Sequence, residues 1–464
     1  MPADGLFPAT ERMLTRRLAN EQSAGRAPSL VAALARGGAT LWADGRGEVG
    51  GRPPDADTQY RIGSITKTFT AVLVMRLRDE GRLALGDPLE RHLPGTAIGD
   101  VTIAQLLSHT AGIRAETPPP WWERVDGGEH PTLTDAVGPG PRRFRPGRRH
   151  HYTNVGFAVL GELVAHARGM SWADAVRAEL LAPLGLDRTT TLPVAPHARG
   201  FAVHPDADVL LPEPATAHDA GVMAPAGQLW STTADLLRWA EVLSGRDTAV
   251  LSADTLAEMR EPAAIDDAPG PWSDGAGLGV QLVRGPARPL VGHGGSMPGF
   301  LAALWAEPGG ASAVALANAT GGPAVGALAI DLIDILETQE PELPAQWRPA
   351  DPAPAPELLE LTGAWYWGAA AHRLSVTGDG GLLLAPQRSG RGALFTSGPD
   401  GAWTGRNGYY AGETLHVRRH PDGTPSHLEI ASFVFTRGPY GQSPSVPGHP
   451  AIPGGVDEGG WGGG

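Results

Sequence analysis

Six prolines fall between positions 341 and 356: Pro341, Pro344, Pro349, Pro352, Pro354 and Pro356. Proline fixes φ and has no backbone N–H to donate, so neither a helix nor an inner strand can run through such a stretch. It reads as a stiff linker that breaks the 464-residue chain in two. The division is a first domain over 1–340, a linker over 341–356, a second domain over 357–440, and a Gly/Pro-rich tail over 441–464 whose composition predicts disorder.

Residues 8–22 have helical spacing, and 30–35 and 39–44 read as strands about Gly37-Gly38. From Ser64 to Arg82 the apolar residues Phe69, Val72, Leu73, Met75 and Leu77 follow Gly63 and stop at Gly81. That pattern predicts a largely buried helix with Ser64 at its N-terminus. Further helices are expected at 102–108, 154–168, 171–181 and 232–243, the third opened by the capping pattern Ser171-Trp-Ala-Asp174. Strands are expected at 279–283, 300–306 and 313–318, followed by a helix at 324–337. Beyond the linker, short apolar runs alternate with turn signals at Asp379-Gly380-Gly381, Arg406-Asn407-Gly408 and Asp422-Gly423. The fold class is therefore α/β of the α+β kind. One antiparallel sheet is drawn from both ends of the first domain, a helical region lies between, and a small all-β barrel or sandwich follows.

Lys+Arg 37 against Asp+Glu 50 leaves a net charge of −13, which argues against a nucleic-acid partner. The absence of cysteine removes thiol nucleophiles, Cys-ligated zinc, iron–sulfur clusters and disulfides. The 15 histidines show no His-Glu-x-x-His, and no metal or cofactor is expected. The first residues carry no basic segment leading into an apolar run, and no stretch reaches the roughly 18 apolar residues needed to span a bilayer. A cytoplasmic protein with no membrane partner is expected; the oligomeric state is open.

The chain contains a single lysine, Lys67. Arginine can replace lysine wherever charge alone is needed, but guanidinium does not give up its proton, whereas a desolvated lysine can act as a base. Lys67 lies three residues after Ser64 on one helix face, where hydroxyl and amine can meet. The free N–H groups of the helix start favour an oxyanion beside Ser64 and disfavour a protonated amine. Tyr152-Thr-Asn154 sits at a loop-to-helix junction, and tyrosine and asparagine are both scarce here. Gly292-His293-Gly294-Gly295-Ser296 precedes a strand, and its glycines allow close backbone approach; Ser296 can then present an N–H to a substrate.

Ser64-Ile-Thr-Lys67, Tyr152-Thr-Asn154 and His293-Gly294-Gly295, in that order, resemble the three motifs of the serine β-lactamase and penicillin-binding-protein superfamily. The phrases Tyr60-Arg-Ile-Gly, Thr102-Ile-Ala-Gln-Leu-Leu-Ser-His-Thr-Ala-Gly-Ile113, Phe144-Arg-Pro-Gly147 and Gly227-Gln-Leu-Trp-Ser-Thr-Thr-Ala-Asp-Leu236 agree, over about residues 8–338. The match is to the class C-like branch of esterases, D-amino-acid peptidases, DD-carboxypeptidases and class C β-lactamases. The segment 357–440 resembles small β domains appended to some of those hydrolases. One position departs: where family β-lactamases carry Lys-Thr-Gly to hold the drug's carboxylate, this chain has His293-Gly294-Gly295, a weak grip on an anion.

The resemblance implies a serine hydrolase cleaving an ester or amide through an acyl-enzyme on Ser64, with Lys67 and Tyr152 moving the proton. The N–H groups of Ser64 and Ser296 would hold the oxyanion, and Asn154, His293, Gly294 and Gly295 would bind substrate, with Asn154 and His293 also orienting the Lys67 amine. Trp121 and Trp122 are candidates to roof the acyl pocket or, equally, to anchor a long loop. Alternatives are a β-lactamase or DD-carboxypeptidase, and a catalytically silent acyl- or peptide-binding relative.

Overall fold

Strands from the two ends of the first unit lie side by side in the computed structural model. It describes residues 5–124, 131–213, 219–265, 272–285, 289–344, 346–388, 390, 392–398 and 401–439; the tail expected to be disordered lies outside them. The chain divides into two compact units, Met1–Glu342 and Leu343–Gly464.

The first unit holds an eight-stranded antiparallel sheet. Its order is Ala39–Gly47, Ser29–Arg36, Ala311–Ala317, Phe300–Ala306, Pro289–Met297, Gln281–Arg284, Asp274–Ala276, Ala264–Ile265. Side chains alternate across a strand, so Leu30, Ala32 and Leu34 meet one hydrophobic layer and Val31, Ala33 and Ala35 the other. The first layer is closed by helices Pro8–Ala24 and Val325–Gln339 through Leu14, Leu18, Leu328, Leu332 and Leu336. Because the sheet is covered on both faces, Ser29–Arg36 is apolar almost throughout instead of alternating with polar residues.

The second layer is the helical region. Its central helix, Thr66–Asp79, has 11 of 14 residues buried, so it has no polar stripe. Its buried threonines are satisfied side chain by side chain. Thr68 accepts from Trp239 Nε1 at 2.8 Å, and Thr70 accepts from Trp172 Nε1 at 3.0 Å while donating to the Pro225 carbonyl at 2.9 Å. Phe69 stacks on Trp239 with centroids 3.9 Å apart.

Two local expectations are corrected. Ser64 lies in a 3-10 turn, Gly63–Ile65, ahead of the α-helix, because Gly63 has φ 50° and bends the chain there. The helix expected over 171–181 is Trp172–Val176 followed by a wide π turn, Arg177–Leu181. Pro183, just beyond, has no N–H to return to the Glu179 carbonyl.

In the second unit eight strands between Gly363–Trp367 and Phe433–Thr436 pair in sequence order and close into a barrel through Tyr366 and Thr436. Of the two shapes expected it is the barrel, and its interior is packed by Trp365, Leu374, Leu384, Phe395, Leu428 and Phe435. Among the described residues no helix is long and apolar enough to cross a membrane.

Candidate active site

The nucleophile candidate is placed by backbone. Ile62 donates its N–H to Leu229 O at 2.9 Å, and a β-carbon on Gly295 would lie 2.0 Å from Ile62 O. The strand Pro289–Met297 therefore runs directly against the segment that leads into Ser64. That strand pairs with Gln281–Arg284 only from Pro289 to Gly292, so beyond it one edge has no strand partner among the described residues. An open cleft of about 590 Å³ is lined by Ser64, Tyr152, His293, Gly294, Gly295 and Ser296, with Gln281 beside them.

Lys67 Nζ lies 2.9 Å from Ser64 Oγ and donates to the Ala226 carbonyl at 2.7 Å. The side chain is fully buried. Burial pushes its pKa down to about 7, against the opposing pull of Glu116 and Glu123. Tyr152 is displaced in the other sense: burial pushes the phenol above its ordinary value, with the hydrogen bond to Ser64 opposing it. The Lys67 ammonium position is 5.0 Å from the Tyr152 ring centroid. At neutral pH the arrangement holds an amine able to exist uncharged, a phenol that keeps its proton, and a hydroxyl between them.

The second motif opens helix Asn154–Arg168, and its cap is Thr153. Thr153 Oγ1 accepts from Gly156 N at 3.0 Å and donates to Arg114 O at 2.7 Å. Contrary to expectation, the Lys67 amine is not held by Asn154: the Asn154 amide nitrogen donates to Glu116 Oε1 at 2.5 Å, while the amine is held by Ser64 and Ala226. The second Glu116 oxygen accepts from Trp122 Nε1 at 3.0 Å.

His293 is 2% exposed, and its Nδ1 meets the Gly294 carbonyl at 2.5 Å. A carbonyl only accepts, so Nδ1 carries the hydrogen and Nε2 is bare. Burial and the nearby Lys67 push the imidazole down to about 3, so it is neutral. Gly294 donates its N–H to Gln281 Oε1 at 2.9 Å. Neither tryptophan lines the cleft containing Ser64. Trp121 is 57% exposed and stacks under Arg124, whereas Trp122 is buried and lines a separate cavity of about 1130 Å³ with Pro118, Leu133 and Val137. Of the two roles weighed for this pair, the Trp122 position fits the anchor.

Sequence reasoning missed Glu116 and Gln281, for which no motif gives a signal, and the Ala226 carbonyl. His109 stood in a phrase that matched the family but drew no role. Among the described residues no group of three or more His, Asp or Glu is arranged to hold a metal ion.

Residues 14–337 match the family model Beta-lactamase, and 354–437 match a domain of unknown function, DUF7586. Penicillin-binding protein 4 of Amycolatopsis lactamdurans is 33% identical over 338 residues, covering 66% of this chain and 86% of that one. A D-stereospecific amidohydrolase from Streptomyces sp. superposes with a TM-score of 0.58 at 26% identity, over 72% of this chain and 99% of its own. The octameric penicillin-binding protein homologue from Pyrococcus abyssi has the same fold over 91% of this chain and 99% of its own, with a TM-score of 0.62 at 22% identity. With its sheet, its three motifs around one cleft and a family match running through nearly the whole first unit, this chain belongs to the Beta-lactamase family of serine hydrolases.

Proposed function

We propose that the enzyme cleaves an ester or amide bond by forming an acyl-enzyme on Ser64. The observation that carries this reading is the 2.9 Å approach of Lys67 Nζ to Ser64 Oγ, with the amine fully buried and its pKa near 7. Lys67 takes the Ser64 proton as the hydroxyl attacks the carbonyl; Tyr152, a neutral phenol beside Ser64, relays a proton to the leaving group. The N–H groups of Ser64 and Ser296 face the oxyanion, each donor contributing about 2.7–4 kcal/mol at such sites. Water then releases the acyl group by the reverse sequence.

Esters and amides of D-amino acids are the substrate class we favour, supported by the likeness to the D-stereospecific amidohydrolase. A β-lactamase or DD-carboxypeptidase is the second reading, favoured by the 33% identity to a penicillin-binding protein. The neutral His293 at the third motif weighs against it, since a bare nitrogen lone pair repels a carboxylate. Intact-mass analysis after treatment with a serine-reactive phosphonate is expected to show one adduct, on Ser64; an adduct elsewhere overturns the assignment. A panel of nitrophenyl esters, D-amino-acid amides and nitrocefin is expected to show turnover of the first two and little of the third.

A further inference from the structure

Three consecutive residues are tied to one histidine, His109, two of them to its imidazole and one to its backbone carbonyl. His151 donates its backbone N–H to the His109 carbonyl at 2.8 Å. Thr153 donates its backbone N–H to His109 Nδ1 at 3.1 Å. Between them the Tyr152 ring stacks on the His109 ring, with centroids 4.3 Å apart and planes at 27°. His109 is itself held firmly: it is 4% exposed, has φ 57° and packs against Phe157 with ring centroids 5.1 Å apart. A side chain kept at positive φ away from glycine is uncommon, and it persists only where the surroundings over-determine it.

The tautomer follows from the partners. An Nδ1 that accepts an amide N–H carries no hydrogen, so the ring is neutral and protonated at Nε2. A proton on Nδ1 would set donor against donor at Thr153. Burial, together with the nearby Lys67, pushes the imidazole well below its ordinary pKa, which keeps that acceptor available. His109 is not among the residues lining the Ser64 cleft.

The geometry points to His109 as a positioning residue, one that sets the placement of the Tyr152 phenol against Ser64 by clamping the residues on both sides of it and the ring between. This rests on the proposed role of Tyr152 in proton transfer. A misplacement of about 1 Å at a reacting group can cost on the order of 10²-fold in rate, so losing the clamp reduces turnover without removing any group that touches substrate.

A double-mutant cycle tests it. His109→Asn tolerates the positive φ and leaves an oxygen for the Thr153 N–H but loses the stack. On an amide substrate it is expected to lower kcat by about 10-fold or more with KM nearly unchanged. In a Tyr152→Phe background, the same substitution is expected to cost nothing further, because the phenol it serves is gone. A loss that multiplies equally in both backgrounds overturns the clamp, as does wild-type kcat in His109→Asn. Full activity in Tyr152→Phe alone overturns the role of Tyr152 and the clamp with it, which separates that failure from the clamp's own. Should His109→Asn not fold, His109→Phe, which keeps the stack and drops the acceptor, goes through the same cycle with the same criteria.

Discussion

A β-carbon on Gly63 would sit 2.6 Å from both the backbone nitrogen and the backbone oxygen of Ser296. The bend that presents Ser64 and the strand that carries Ser296 are packed backbone to backbone. The spacing of the two proposed oxyanion donors is therefore set by a residue with no side chain, held at φ 50°.

Gly63→Ala meets both a clash with main chain and an unfavourable φ, and neither can be relieved by rotating a side chain. Its rate of acylation by a nitrophenyl ester is expected to fall by about 10²–10³, the scale for a lost oxyanion donor. Stopped-flow acylation compared with thermal melting separates this from a loss of fold.

The pH dependence of kcat/KM follows from Lys67. The base works uncharged, and its pKa is lowered by burial to about 7, so activity is expected to rise with pH through about 7 and level off above it. Lys67→Arg keeps the charge and is expected to lose about 10²–10⁴ in turnover, the usual range for a general base. Steady-state rates from pH 5 to 9 check both.

Burying that amine also costs stability. Between the folded value near 7 and the unfolded value near 10.4, the unfolded chain binds the extra proton, so this contribution improves as pH rises and is least favourable at and below pH 7. Lys67→Met is expected to be inactive and to be more stable than wild type at pH 7 by about 1–3 kcal/mol, the scale of a relieved buried polar group. Urea melts at pH 7 measure it.

His293 has its folded pKa lowered to about 3, so the unfolded chain takes up the proton first, at about pH 6.5. The stabilisation is full above that and declines as pH falls toward 3, by about 1.4 kcal/mol per pH unit for one such group. His293→Gln is expected to flatten the fall in denaturant midpoint between pH 6.5 and 4.5.

The two neighbouring tryptophans should differ. Trp122→Ala removes a buried ring and the N–H bonded to Glu116 and is expected to cost about 3–5 kcal/mol. Trp121→Ala, at a half-exposed site, is expected to cost under about 1 kcal/mol. Calorimetry on the two variants distinguishes them.

Local relationships were legible in the sequence and distant ones were not. Ser64 and Lys67 meet because a three-residue separation across a helical turn brings them together, and an all-β second domain, barrel or sandwich, announces itself through turn dipeptides spaced along short apolar runs. Glu116 and Asn154 are 38 residues apart in the chain, and Gln281 reaches Gly294 from the neighbouring strand; neither contact has a local signature. Asn154 looked like a partner of the amine, yet the Ala226 carbonyl holds it. The 3-10 turn at Ser64 depends on a dihedral of Gly63 that the Ser296 backbone imposes from across the fold.

With its one lysine sealed in the core, the exterior of this protein offers arginine as its basic side chain and no side-chain primary amine. Acetylating or cross-linking reagents aimed at side-chain amines find none to react with while the native state holds. Modification of Lys67 by such a reagent therefore reports transient opening of the catalytic interior, a built-in gauge of local breathing that requires no added probe.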